Sequence, residues 1–212
     1  MNKILFIDTL TTGVNPDRCA IYRIGGIFCE ETVSSIVEKR RFDLTVRPFD
    51  GARIMENSLW VGGVTRSDLI RYPLQQNAFA DLYKVIQEQI NVKNPKDKIY
   101  LCGFNVSAFD EPFIKNWFSR NGSGKYRDCF YVQTIDLMSI TAFAMMSFRD
   151  DMPDFHLETA AKALGVTPTK GKAYSCLDNA ETCLKMYVAL KERLGCGKPE
   201  GWKPLERVFS NK

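Results

Sequence analysis

Runs of apolar residues broken by turn residues dominate the first part of the chain, and they read as strands. The stretch 4–8 is a nearly continuous apolar run that delivers Asp8 at its end, so it is expected to be a buried strand. A second strand is expected over 19–29, after a turn at Asn15-Pro16-Asp17, and a third over 41–46, before Pro48 and Gly51. Three successive strands suggest an antiparallel start. Between the second and third, 30–40 mixes charges with Val and Ile and reads as a hairpin connection. Its Lys39-Arg40-Arg41 cluster is either a solvated edge or a phosphate contact.

The period then changes. Phe79, Leu82, Val85, Ile86 and Ile90 recur at helical spacing, which predicts a helix over 78–90 with one buried face. The polar stretch 91–98, with Pro95, is a loop leading to a strand over 99–103. A helix over 109–119, a Gly-Ser-Gly loop, a strand over 130–135 and a helix over 137–148 follow. Asp154 or the residue after it caps a helix over 156–164, which Gly165 ends, and the last helix runs over 176–194. Strands followed by alternating strands and helices imply an α/β sheet. One domain over 1–194 is expected. The tail 195–212 carries Trp202 and Phe209 and is either an arm packed on the body or an interaction segment.

Composition narrows the chemistry. At 212 residues and 45% hydrophobic, the chain can bury a substantial core. Seven cysteines without a Cys-x-x-Cys pair indicate neither a disulfide framework nor a zinc site, and fit a reducing, cytoplasmic setting. No targeting segment and no stretch of membrane-spanning length is expected. A net charge of +4 is compatible with a polyanionic partner but carries little weight alone. His156 is the only histidine, so a histidine base elsewhere or a histidine-rich metal site is excluded.

Two segments carry recognisable chemistry. Lys3-Ile-Leu-Phe-Ile-Asp8-Thr-Leu10-Thr-Thr-Gly13 resembles the first motif of the DEDD-type, DnaQ-like 3′-to-5′ exonucleases, Asp-x-Glu-Thr-Thr-Gly, with Leu10 where that pattern has glutamate. Asn105-Val-Ser-Ala-Phe109-Asp110-Glu-Pro-Phe113 resembles the second, Asn-x-x-x-Phe-Asp-x-x-Phe, in full. Arg47-Pro48-Phe49, Gly63-Val64-Thr65 and Ile135-Asp136-Leu137 also occur in the family's order. The resemblance implies an RNase H-like fold, with a central five-stranded mixed sheet, three antiparallel strands then two parallel ones, flanked by helices. It further implies four carboxylates holding two Mg²⁺ or Mn²⁺ ions and a His or Tyr that activates water. Several anionic oxygens are needed because two divalent ions about 4 Å apart repel strongly.

The third motif has two possible registers at the start of the last helix. Tyr174 with Asp178 fits a tyrosine-branch spacing and retains three carboxylates; Tyr174 with Asn179 fits the histidine branch with both chemical groups replaced. At about 100° per residue, Asp178 points away from the apolar direction of that helix, whereas Asn179 lies roughly 90° from its centre and can reach a cleft. The second register is preferred. Asp8 and Asp110 are then the remaining metal-ligating carboxylates, with Tyr174 and Asn179 vestigial. Asparagine offers no charge, and a phenol with a pKa near 10 is a poor base at neutral pH.

Three functions follow as expectations. The preferred one is a catalytically impaired exonuclease-fold protein that binds single-stranded nucleic acid, 3′ ends or a protein partner, using Thr11, Thr12, Asn105 and Phe109 beside the cleft and holding Mg²⁺ or Mn²⁺ weakly if at all. The others are an active exonuclease using Asp8, Asp110, Asp178 and Tyr174, and a scaffold protein of a viral or replication assembly.

Overall fold

The computed structural model describes residues 1–122, 124–169 and 174–195. The tail expected over 195–212 therefore lies outside the described residues apart from Gly195, as do Lys172 and Ala173 of the third motif.

The sheet has the order β3-β2-β1-β4-β5. β1 (Asn2–Thr11) pairs antiparallel with β2 (Ile21–Glu31), which pairs antiparallel with β3 (Ile36–Thr45). On its other side β1 pairs parallel with β4 (Ile99–Gly103), and β4 with the two-residue β5 (Ile135–Asp136). This is the expected mixed sheet of five strands. β1 is central because its apolar run serves both faces, since alternate side chains of a strand point to opposite sides. Leu5 and Ile7 join a core with α3 (Gln75–Gln89), α4 (Asp110–Asn121) and α5 (Lys125–Cys129), whereas Ile4 and Phe6 join one with α6 (Leu137–Ala144), α7 (Leu157–Ala163) and α8 (Cys176–Arg193).

Several elements differ from the sequence reading. The connection expected over 30–40 is only the tight turn at 32–35, and β2 and β3 run through the rest. Lys39 pairs with Glu30, and Arg41 with Glu38 and Glu181, so these cations decorate a solvated strand edge. The strand expected over 130–135 shrinks to a single bridge between Phe130 and Ile99 followed by β5, because α5 takes up the preceding chain. The helix expected to reach residue 148 stops at Ala144 and tightens into a 3-10 turn over Met146–Asp151, where Met146 and Phe148 are exposed and the apolar face is lost. Two short helices, α1 (Glu56–Val61) and α2 (Arg66–Arg71), have no counterpart in that reading.

Six cysteines among the described residues are free and buried. No helix among those residues is long and apolar enough to cross a membrane.

Candidate functional site

The carboxyl ends of the parallel strands β1 and β4 lie side by side, and two acidic residues meet there. Asp8 comes from β1 itself. Asp110 is the first residue of α4, which the chain reaches from β4 through a turn at 104–109. That turn requires a left-handed backbone at Asn105, with φ of 64°, a conformation asparagine tolerates better than most residues. Asp136, at the end of β5, fastens it: its carboxylate accepts from the Asn105 amide at 3.0 Å, from the Ser107 amide at 3.1 Å and from the Ser107 hydroxyl. The carbonyl of Asn105 accepts from the Phe109 amide at 3.0 Å.

Asp110 is 3% exposed, and its Oδ1 accepts from the amide and the hydroxyl of Thr9 at 2.9 and 2.7 Å. Burial and then the charge of Asp8 push its carboxyl well above the ordinary range. Burial likewise raises the Asp8 carboxyl, against the lowering effect of the neighbouring Cys176 thiol and of hydrogen bonds from Asn179 and Tyr174; the thiol itself donates to the Arg23 carbonyl at 3.9 Å. Two neighbouring carboxylates in a poorly solvated cleft resist ionising together.

The first turn of α8 and Tyr174, just before its N-cap, supply those partners. Ser175 is its N-cap, with Oγ accepting from the Asp178 amide at 3.3 Å. Asn179 Nδ2 donates to Asp8 Oδ2 at 3.3 Å and to Tyr174 Oη at 2.7 Å, and Tyr174 Oη donates to the same Asp8 oxygen at 3.4 Å. Burial, followed by the Asp8 charge, raises the Tyr174 phenol, so it stays protonated and acts as a donor. The Cys176 thiol is raised for the same two reasons. Asp178 sits in the same first turn, where its charge complements the helix dipole.

The close approach of α8 depends on Gly25. It stands opposite Asp8 in the β1–β2 ladder, and a Cβ there would lie 2.6 Å from the Leu177 amide nitrogen and 2.9 Å from the Cys176 carbonyl carbon. Only a residue without a side chain lets the start of the helix settle against Asp8.

Asp8, Asp110, Tyr174 and Asn179 thus converge, whereas the other residues singled out in the sequence occupy supporting positions. Leu10 is 5% exposed and packs in an apolar cluster with Tyr22, Leu59, Leu69 and Cys176. The Thr11 hydroxyl donates to the Gly13 carbonyl at 2.7 Å. Thr12 is fully buried; its hydroxyl donates to the Arg53 carbonyl at 2.7 Å and accepts from the Ala20 amide at 2.9 Å, so both threonines build the β1–β2 loop. Phe109 is half-buried, with its ring centroid 5.3 Å from that of Phe113. Sequence reasoning missed Cys176 and Asp136 as site residues. Cys176 was detectable, because it stands three positions before Asn179 and so shares its side of the helix.

Among the described residues the donor set does not fit a pair of divalent ions. Among the described residues no group of three or more His, Cys, Asp or Glu side chains is disposed to hold a metal ion. Around Asp8 stand neutral donors, an amide N–H and a protonated phenol, where two divalent cations call for anionic oxygens.

No protein family matches the chain by sequence, and no curated protein does either. Among solved structures the chain is similar to E. coli exonuclease I in complex with a dT13 oligonucleotide, with a TM-score of 0.70 and 18% identity over 99% of this chain and 43% of that one. It is similar to the zinc-ion-bound form of the E. coli exonuclease I complex with single-stranded DNA at the same TM-score and identity, over 92% of this chain and 42% of that one. The chain therefore spans less than half the length of the structures it matches. The likeness shows the fold: the five-stranded mixed sheet flanked by helices is that of the exonuclease, RNase H-like architecture.

Proposed function

We propose that this chain is an exonuclease-fold protein with an impaired or inactive hydrolytic site that acts by binding nucleic acid, single strands and their 3′ ends in the first place. The observation that carries this reading is the environment of Asp8. Its Oδ2 accepts hydrogen bonds from Asn179 and Tyr174, and Leu10 lies in an apolar cluster nearby. A cleft with two carboxylates and neutral donors has lost half the anionic oxygens that a two-ion site needs, so Mg²⁺ or Mn²⁺ binds weakly or not at all. The fold domain is taken to span 1–194. Nucleic-acid binding is favoured over a purely structural role because the motif turns that shape the cleft persist, including the left-handed Asn105 and the Asp136 clamp beneath it.

The test pairs cleavage with binding. A 5′-labelled single strand is incubated with the protein and Mg²⁺ or Mn²⁺, beside the triple variant Leu10→Glu, Tyr174→His, Asn179→Asp, and the affinity of both for the same strand is read by anisotropy. The proposal expects the natural chain to bind without shortening the strand, and the variant to regain cutting. Shortening by the natural chain would overturn it and point to Asp178 and Tyr174 as working groups. Absence of both binding and cutting by the natural chain would favour the scaffold reading.

A further inference from the structure

A second concave feature lies apart from the Asp8 cleft. A cavity of about 400 Å³ opens between the segment after β3, the start of α3 and the end of α4. Two guanidinium groups line it. Arg47 uses Nε to donate to the Tyr72 carbonyl at 3.2 Å, and Arg120 uses Nη2 to donate to the Asp17 carbonyl at 3.1 Å. The Arg120 guanidinium also stacks over Phe49, its central carbon 4.0 Å from the ring centroid. Each guanidinium has five N–H donors, so both keep donors to spare. Among the described residues neither forms an ion pair, in contrast to Arg23, Arg41 and Arg66, which are each bound to carboxylates. The carboxylate of Asp50 lines the same cavity without pairing with either arginine, and the amides of Gln75 and Asn121 complete a polar wall.

The cavity is joined to the cleft by one stretch of chain. Residues 47–55 lead from Arg47 back to the end of β1, where the Arg53 amide donates to the Arg18 carbonyl at 2.7 Å and the Met55 amide to the Thr12 carbonyl at 2.8 Å. From the other side, Asn116 and Arg120 of α4 hold the same β1–β2 loop through Pro16 and Asp17. Arg18 and Arg53 are exposed and, among the described residues, form no ion pair. Four guanidinium groups that form no ion pair among the described residues thus accompany the path from the strand that carries Asp8 to the cavity, with the Asp17 charge acting on Arg120 through space.

We propose that the Arg47/Arg120 cavity is a phosphate subsite for the backbone of a single-stranded polynucleotide whose end lies in the Asp8 cleft, with Arg18 and Arg53 contacting the phosphates between. This rests on the nucleic-acid-binding reading above. The planar fork of arginine matches phosphate oxygens two at a time, and stacking on Phe49 fixes one fork in advance. Such contacts are indifferent to base sequence and weaken steeply with salt.

The test compares a long oligothymidylate, able to span both features, with a thymidine dinucleotide confined to the cleft. Binding is measured by anisotropy over a salt series for the natural chain, for Arg47→Gln with Arg120→Gln, and for Asp50→Asn. The double variant is expected to weaken the long strand about tenfold and to lower the salt slope by about 0.7 for each phosphate that is no longer neutralised, leaving the dinucleotide unaffected. Asp50→Asn is expected to tighten the long strand by removing the opposing charge. Unchanged long-strand binding by the double variant, or equal weakening of both ligands, overturns the subsite while the broader reading stands. If the natural chain binds neither ligand, both fail. Inorganic phosphate that stabilises the protein without competing with the long strand would mark a free-anion site and overturn the strand assignment. Should the double variant not fold, Arg120→Lys carries the test. It keeps the charge but loses the fork, so it must weaken the long strand with little change in slope, and full affinity would overturn the proposal.

Discussion

Gly25 faces Asp8 across the β1–β2 ladder, and the volume its missing side chain leaves is occupied by the backbone of Cys176 and Leu177. A glycine on one strand therefore determines how closely a helix from the far end of the chain approaches a carboxylate on the next. Gly25→Ala must push the α8 start outward, because backbone atoms, not a flexible side-chain end, stand within 3 Å of the new carbon. We expect a loss of about 1–3 kcal/mol on denaturant unfolding, the usual range for overpacking. Dinucleotide binding should fall as well, because Tyr174 and Asn179 move away from Asp8. An Ala variant with natural stability and affinity would show that α8 is not seated as described.

Leu10 is held by apolar contacts that a charged group cannot replace. Truncation to Ala should cost about 2–5 kcal/mol, since the cluster with Tyr22, Leu59 and Leu69 is fixed by surrounding elements and collapses poorly. Leu10→Glu alone should destabilise the protein more at neutral than at acid pH, because only the ionised carboxylate carries the full burial cost. Thermal unfolding at the two pH values checks both statements.

Much of this arrangement can be read from the residues, and the misses have physical causes. The apolar run before Asp8 and the Asn105-to-Asp110 turn each combine a strong local pattern with a demanding backbone, and both appear where expected. Helical periodicity at the start of α8 distinguishes Asn179 from Asp178 by direction, and Asn179 is the α8 side chain hydrogen-bonded to both Asp8 and Tyr174. Short elements are harder. α1 and α2 span six residues each, too few for an apolar period, although the Thr65-to-Asp68 capping box marks the start of the second. β5 consists of two residues held by β4, so almost nothing local specifies it. The role of Gly25 is invisible in the sequence because it depends on residues of α8, far along the chain.

Asp8→Asn should stabilise the fold at neutral pH. The Asp8 carboxyl is raised by burial, so the folded state binds its proton more tightly than the unfolded chain does. Stability then falls as pH rises from the unfolded value near 4 through the higher folded value. The variant has no such proton, and it also relieves the charge that Asp8 imposes on Asp110. The gap between variant and natural melting temperatures should therefore widen from roughly pH 4 towards neutrality. A constant gap across that range would mean that Asp8 is ordinarily ionised and that a counter-charge is present in the cleft.

Glu31 has the opposite sign and lies far along β2. Burial alone would raise its carboxyl, but hydrogen bonds from Lys191, Tyr187 and Asn2 outweigh that effect and hold it below the ordinary range. Lys191 Nζ and Tyr187 Oη lie 2.6 and 2.8 Å from Glu31 Oε1, which ties the end of β2 to the last turns of α8. A depressed carboxyl contributes stability that is present above its unfolded value of about 4.3 and is lost as pH falls through the lower folded value. Glu31→Gln should thus cost about 1.5–3 kcal/mol at neutral pH, the range for hydrogen bonds to charged groups. The cost should shrink as the natural protein is titrated below about pH 4, which unfolding curves collected across that interval would reveal. A penalty that did not change with pH would assign the stabilisation to packing of the Glu31 stem instead of to its charge.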